Sequence, residues 1–294
     1  MESIFKDEKQ QRIFEEKGYV TIPLLPSKDI EFLINEVQTM KPDDNYTGRN
    51  QSGLHFSCLD ENAQYRWETY HLISKIFTPY VNNLFKDSRI IAANCVVKSP
   101  GKGYLYHHQH PPINFHISDC IALNLWCPLV DTNELNGAIQ VLENSHKTFS
   151  NFISISSTFS FEKAEFVKII EKSSKIIPLK AGECIIFDQR LVHGSGTNHT
   201  NQTRFAVQMF IIQNNDKPAF YYADSSKNNS WVEVFETDIN FYCEDNVCPT
   251  KRPSHLKSLG LMKYKNLNEK EVMRKLLSHG SKKERSFLSK IWKF

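Results

Sequence analysis

Apolar positions recur at two different periods along the chain, and the change of period divides it. From Ser27 onward Ile30, Leu33, Ile34 and Val37 fall at helical spacing, the pattern of an amphipathic helix with one apolar face. Ser27 stands at its expected N-cap, where a hydroxyl can accept from an unpaired backbone N–H. Arg66 to Leu84 repeats the pattern with Tyr70, Ile73, Ile76 and Phe77 and predicts a second helix. Ahead of both, Tyr19-Val20-Thr21-Ile22-Pro23 alternates as a short strand. Beyond residue 88 the runs become short and rich in β-formers, separated by turn residues: Ile90 to Lys98, Ile121 to Pro128, Ala138 to Leu142, Cys184 to Asp188 and Arg204 to Ile212. Such a series predicts an antiparallel sandwich or barrel. A last zone carries Val272, Leu276, Phe287, Leu288, Ile291 and Trp292 as its apolar positions and is expected to be helical. The expected organisation is one domain over 1–294: a helical part (1–87), a β core (88–215) and a C-terminal extension (216–294) with a basic helical tail.

Composition changes the picture only in what it excludes. With 40% hydrophobic and 23% charged residues, the chain can bury a sizeable core and lies far from the disordered, collagen-like and disulfide-scaffold classes. Its longest apolar stretches, such as Phe205 to Ile212, fall well short of the ~20 residues that cross a bilayer. The first residues, Met1-Glu2-Ser3-Ile4-Phe5-Lys6-Asp7-Glu8, lack a basic segment followed by an apolar one and do not read as a secretory signal, which makes a cytoplasmic location the expectation. Seven cysteines are scattered without a C-x-x-C pair, against both a disulfide framework and a zinc ribbon. The net charge of +3 hides an asymmetry: residues 251–294 hold thirteen Lys or Arg against three Glu. A basic helical tail reads first as a solvated face, with an anionic partner or peripheral membrane contact as alternatives. No aromatic platform accompanies it, so nucleic acid is not expected.

Seven of the eleven histidines lie in the β zone. In Tyr106-His107-His108-Gln109-His110 an extended backbone sends His108 and His110 to one face and His107 and Gln109 to the other. Two ligands of one metal fit that geometry. His193 can be a third: it follows the apolar strand ending at Asp188 and precedes the turn Gly194-Ser195-Gly196-Thr197-Asn198, whose return strand begins with Arg204. Imidazole suits iron, zinc, copper and nickel alike, so the histidines do not name the metal.

Several segments, in order, resemble the phytanoyl-CoA dioxygenase family of iron(II) and 2-oxoglutarate dependent oxygenases, over most of residues 5–212. Phe14 to Ile22 followed by Leu25-Pro26-Ser27 is similar to that family's opening helix, strand and second helix; His108-Gln109 to its first ligand; Asn136-Gly137-Ala138 with Ser145-His146-Lys147 to its "NG…GSHK" region; and Ala181 to Asp188 running on to His193-Gly194-Ser195-Gly196 to its distal-ligand strand and loop. The resemblance implies a mainly β fold with flanking helices, a double-stranded β-helix of the jelly-roll or cupin-like kind. It also implies Fe(II), 2-oxoglutarate as cosubstrate and dioxygen, and the oxidation, most simply hydroxylation, of a small metabolite. Three protein ligands on one side of iron leave positions for the keto acid and for dioxygen. Arg204 would anchor the cosubstrate's far carboxylate as a planar, always-charged donor, with Ser195, Trp126 and Asn124 as further lining. His107, His116 and Lys98 are candidates for contact with the substrate, and an anionic substrate is favoured.

One departure stands against these matches. The family's H-x-D is here His108-Gln109-His110, so a neutral ligand replaces an anionic one. His110 could coordinate, or turn away, or yield to Asp119 or His116; or the fold could persist without iron. Two other functions therefore stay open: a three-histidine oxygenase that does not use 2-oxoglutarate, and a non-catalytic binding protein.

Overall fold

The structure, a computed structural model, describes residues 3–115, 122–149, 161, 163–223, 231–245, 252–263 and 269–279. Three helices precede the barrel. In α1 (Glu8–Lys17) the Asp7 carboxylate accepts from the backbone N–H of Gln10 at the N-cap, and Gly18, at φ 85°, ends the helix in the left-handed conformation. A Cβ there would strike the His146 ring, so this turn needs glycine twice over. Helix α2 (Ser27–Thr39) begins one residue earlier than expected: Pro26 occupies the cap, without a side-chain bond, and Ser27 is the first helical residue. Proline there pre-sets the entry angle of the chain. Helix α3 (Ala63–Leu84) starts three residues before its predicted boundary because Asn62 caps it, accepting from the Tyr65 N–H.

The strands are β1 (Tyr19–Pro23), β2 (Leu54–Phe56), β3 (Ser88–Lys98), β4 (Leu105–His108), β5 (Leu123–Pro128), β6 (Ile139–Val141), β7 (Lys175–Ile177), β8 (Glu183–Asp188), β9 (His193–Ser195) and β10 (Arg204–Gln213). They form a six-stranded sheet in the order β1-β8-β5-β10-β3-β2 and a four-stranded sheet in the order β4-β9-β6-β7, antiparallel throughout. This is the double-stranded β-helix. The short strand at 19–23 is not isolated: it forms the edge of the large sheet, beside β8.

Alternation along the strands sorts the core. On β10, Phe205, Val207, Met209 and Ile211 join the outer cluster with Leu33 and Val37 of α2 and Ile73, Phe77 and Val81 of α3. Ala206, one step out of phase, belongs to the inner cluster with Val96, Trp126, Ile185 and Phe187. Because side chains alternate with period two, Arg204 and Gln208 share that inner face.

Helices α4 (Ser145–Thr148) and α5 (Ala164–Ser173) follow β6. Of the extension the sequence predicts a state only for the basic tail, helix; ahead of that tail's apolar positions lies a third sheet of β11 (Ala219–Tyr222), β12 (Trp231–Glu236) and β13 (Ser258–Lys263), interrupted by α6 (Ile239–Cys243). Only α7 (Glu269–His279) carries the predicted tail helix, with Val272 and Leu276 buried against Phe166, Ile169 and Ile170 of α5. Phe287, Leu288, Ile291 and Trp292 lie outside the described residues. Among the described residues no cysteine is in a disulfide, and no helix is long and apolar enough to cross a membrane.

Candidate active site

Strands β4 and β9 pair so that His108 faces His193. Gly194 lets them approach, since a Cβ on it would lie 2.8 Å from the Leu105 carbonyl oxygen. His110 follows the end of β4, where its backbone N–H donates to the Gln189 carbonyl at 3.0 Å. Gln109 between them turns its amide to the Phe149 carbonyl, and the His107 ring pairs with the Ser174 hydroxyl at 3.2 Å. The period-two alternation thus brings His108 and His110 to one side and sends His107 to the other. One ring nitrogen each of His108, His110 and His193 lies within 4.8 Å of the others, with ring centroids 4.4 to 5.2 Å apart.

The protonation of this cluster follows from its surroundings. His108 Nδ1 lies 2.8 Å from the Tyr106 carbonyl oxygen, and His193 Nδ1 lies 2.8 Å from that of Leu191. A carbonyl only accepts, so each Nδ1 carries the hydrogen and each Nε2 keeps a free lone pair. His110 Nε2 is buried with no partner. Burial pushes all three pKa values down, those of His110 and His193 well below the usual range, with repulsion from neighbouring histidines adding at those two. Neutral imidazole is the metal-binding form. Three unprotonated ring nitrogens, one of them otherwise orphaned, fit a divalent first-row metal ion.

Arg204 lines the same pocket as the three histidines, together with Trp126 and Ser195. It is 2% exposed, its guanidinium lies 5.2 Å from the Trp126 ring centroid, and its Nε and Nη2 have no partner among the described residues. Burial presses its pKa to about 9, which leaves it cationic at neutral pH. A buried cation without an anion is costly, and an incoming carboxylate would relieve it. Lys98, opposite Arg204 on β3, donates from Nζ to the Gly196 carbonyl. Burial first, and Arg204's charge second, lower its pKa to about 6. Gly137, at φ 75°, packs against that carbonyl and against Lys98, which accounts for the Asn-Gly step in the sequence. Asn124 sits across from Phe187 and Phe210, with both side-chain polar atoms buried and unpartnered.

The remaining candidates fall elsewhere. His107 and Lys98 are absent from the linings of both cavities that touch the histidines, and His116 lies outside the described residues. Gln208 was not singled out in the sequence, yet it lines both cavities; its signal was a polar residue in phase with Arg204 along an otherwise apolar strand. A second grouping, Asp44, His55 and Asp60, is accounted for structurally: His55 Nδ1 bonds Asp44 at 2.7 Å and its Nε2 meets the Tyr65 hydroxyl at 3.0 Å.

Residues 14–206 match the family model for phytanoyl-CoA dioxygenase (PhyH). The chain belongs to the phytanoyl-CoA dioxygenase family. Membership carries the general class: a non-haem iron enzyme that uses 2-oxoglutarate and dioxygen. Solved structures agree on the fold. The 2-oxoglutarate dependent carbocyclase SnoK of nogalamycin biosynthesis is 14% identical, with a TM-score of 0.53 over 72% of this chain and 86% of that one. HygX from Streptomyces hygroscopicus, with nickel and 2-oxoglutarate bound, is 14% identical with a TM-score of 0.51 over 70% and 87%. The epimerase SnoN is 18% identical with a TM-score of 0.50 over 72% and 84%. No curated protein sequence matches the chain significantly. Within the phytanoyl-CoA dioxygenase frame, His110 stands where the family's H-x-D motif has its carboxylate.

Proposed function

We propose that this chain hydroxylates, or otherwise oxidises, a small organic molecule, with His108, His110 and His193 holding iron(II) and Arg204 holding the far carboxylate of 2-oxoglutarate. When bound, iron(II) supplies the centre at which the keto acid and dioxygen meet, and decarboxylation of the keto acid drives oxidation of a substrate C–H bond. The observation that carries this reading is one pocket containing three unprotonated imidazoles and a buried guanidinium without an anion. Trp126 lies against the Arg204 guanidinium, and Ser195 offers a hydroxyl donor in the same pocket; Lys98, facing Arg204 across the strands, is uncharged at neutral pH and leaves Arg204 as the cation for the carboxylate. Three neutral ligands leave the ion one charge more positive than the H-x-D set would, which strengthens its attraction for a dianionic cosubstrate.

The test is anaerobic titration of metal-free protein with iron(II) and then 2-oxoglutarate, following the visible absorption of the chelated keto acid. The band is expected in the wild type. Arg204→Met is expected to weaken keto-acid binding about 100-fold, as loss of a buried charge-assisted pair does, with iron affinity unchanged. The neutral third ligand, His110, favours a second reading, an oxygenase independent of the keto acid. Iron binding without the band would move the conclusion there, and a failure to bind iron would leave a binding protein on the oxygenase fold.

A further inference from the structure

A second cavity, of about 290 Å³, adjoins the first and shares Phe56, Leu105, His108, His110 and Gln208 with it. Phe56, Ile113, Phe210, Phe220, Phe241 and Tyr242 are typical of its lining, and among the described residues no Asp, Glu, Lys or Arg lines it. Its polar groups are nearly all engaged. The Tyr221 hydroxyl donates to the Asn114 carbonyl at 2.8 Å, and the Gln109 amide is held by backbone carbonyls. Buried there without a partner are His110 Nε2, which the proposed metal would take, and the side-chain oxygen of Asn94, 2% exposed. More than a third of the wall comes from β10, β11 and α6, beyond residue 206 where the family match ends. The Phe220 and Phe241 rings lie 5.1 Å apart there.

We infer that this chamber takes an uncharged, largely apolar substrate with one neutral polar group placed toward Asn94, and that the chain's own segment after residue 206 sets this choice. The word substrate rests on the oxygenase reading above. A carboxylate or phosphate brought into this lining would lose its hydration and meet no Lys or Arg among the described residues, the metal at the histidines being taken up by the keto acid and dioxygen, whereas an apolar body releases water from aromatic and aliphatic walls. The expected anionic substrate therefore finds no counter-charge here: Arg204 lines the other pocket, beside Trp126, and Lys98 is bonded to Gly196.

The experiment uses the full chain and two fluorescent probes of one skeleton, uncharged N-phenyl-1-naphthylamine and its anionic relative 1-anilinonaphthalene-8-sulfonate. The uncharged probe is expected to bind at one saturable site, and the sulfonate about tenfold more weakly. Cobalt(II) added to the three histidines is expected to quench the bound probe. Ala92→Phe, which places a ring in the chamber from β3, is expected to abolish binding. Equal or tighter binding of the sulfonate overturns the inference, as does binding that neither cobalt(II) nor Ala92→Phe affects. Should Ala92→Phe not fold, quenching in the wild type still locates the probe. The iron and keto-acid band, recorded on the same protein, separates the two claims. A band without probe binding removes the chamber assignment alone; probe binding without a band removes the oxygenase reading and leaves the chamber.

Discussion

Lys98 and Arg204 meet across β3 and β10 as two buried basic side chains, and the lysine has a consequence for stability. Its folded pKa is lowered from 10.5 to about 6 by burial and then by Arg204. Between those values the unfolded chain holds a proton that the folded chain has released. Stability therefore rises as pH rises from about 6 toward 10.5, and the full penalty is present below about 6. Lys98→Met is expected to raise the melting temperature at pH 7 and to flatten its rise with pH, in thermal unfolding followed from pH 6 to 9. An unchanged slope would show that the amine keeps its proton in the fold. The sequence shows Lys98 as a cation near the metal motif, hence the expectation of substrate contact. It does not show that the side chain spends its donor on the carbonyl of Gly196. His107 differs in the same way from its neighbours: alternation of the strand places it opposite His108, and only the packing of α5 against β4 supplies Ser174 as its partner.

At the scale of elements, the metal ligands depend on how closely two short strands approach. Strand β9 has three residues, and its middle one, Gly194, leaves no room for a side chain against Leu105 and His107. Gly194→Ala should push β9 off β4 and part His193 from His108. We expect a stability loss of about 1–3 kcal/mol in urea unfolding, typical of forced overpacking, and a fall of at least about tenfold in iron(II) affinity by competition with a chelator. Unchanged affinity would mean that the histidine pair does not depend on this contact. The five strands named for the β core were readable from their runs of β-formers and turn residues, and their boundaries moved by one or two residues; the three-residue strands β7 and β9 were not among them. The start of α2 moved because Pro26 and Ser27 can each begin a helix, and the local sequence does not choose between them. Strands β12 and β13 were missed: Trp231–Glu236 and Ser258–Lys263 are separated by more than twenty residues, and their pairing is a long-range choice.

For the whole molecule, the question is how the extension is joined to the barrel. Arg66 on α3 donates from Nε to the Cys243 carbonyl and from Nη2 to that of Glu244, both at 2.7 Å, and so holds the C-terminal end of α6 against the body. Because α6 walls the apolar chamber, Arg66→Met should weaken binding of the uncharged probe about fivefold or more, the loss expected when buried carbonyls lose a charged donor. Iron affinity should stay at the wild-type value, since the three histidines sit on other elements. Equal loss of both would show that Arg66 supports the whole fold rather than this wall. Family membership covers residues 14–206, and the coupling through Arg66 is what brings later residues to the substrate side.

The sequence by itself determined the elements and the chemistry that is local to them: two amphipathic helices, the alternating strands of the core, and an H-x-H pair that any extended backbone turns to one side. These depend on periods of two and 3.6 residues, which are properties of short segments. The order of the quoted motifs also carried the family, and with it the double-stranded β-helix. The tertiary structure alone decided which groups share a cavity. It placed Arg204 beside the histidines and turned Lys98 and His107 elsewhere. It folded the extension's Phe220, Phe241 and Tyr242 into a wall of the chamber and left that chamber, among the described residues, without Asp, Glu, Lys or Arg. Those outcomes depend on contacts between residues far apart in the chain, such as His107 with Ser174 and Lys98 with Gly196, set by strand register and burial, and no local pattern encodes them.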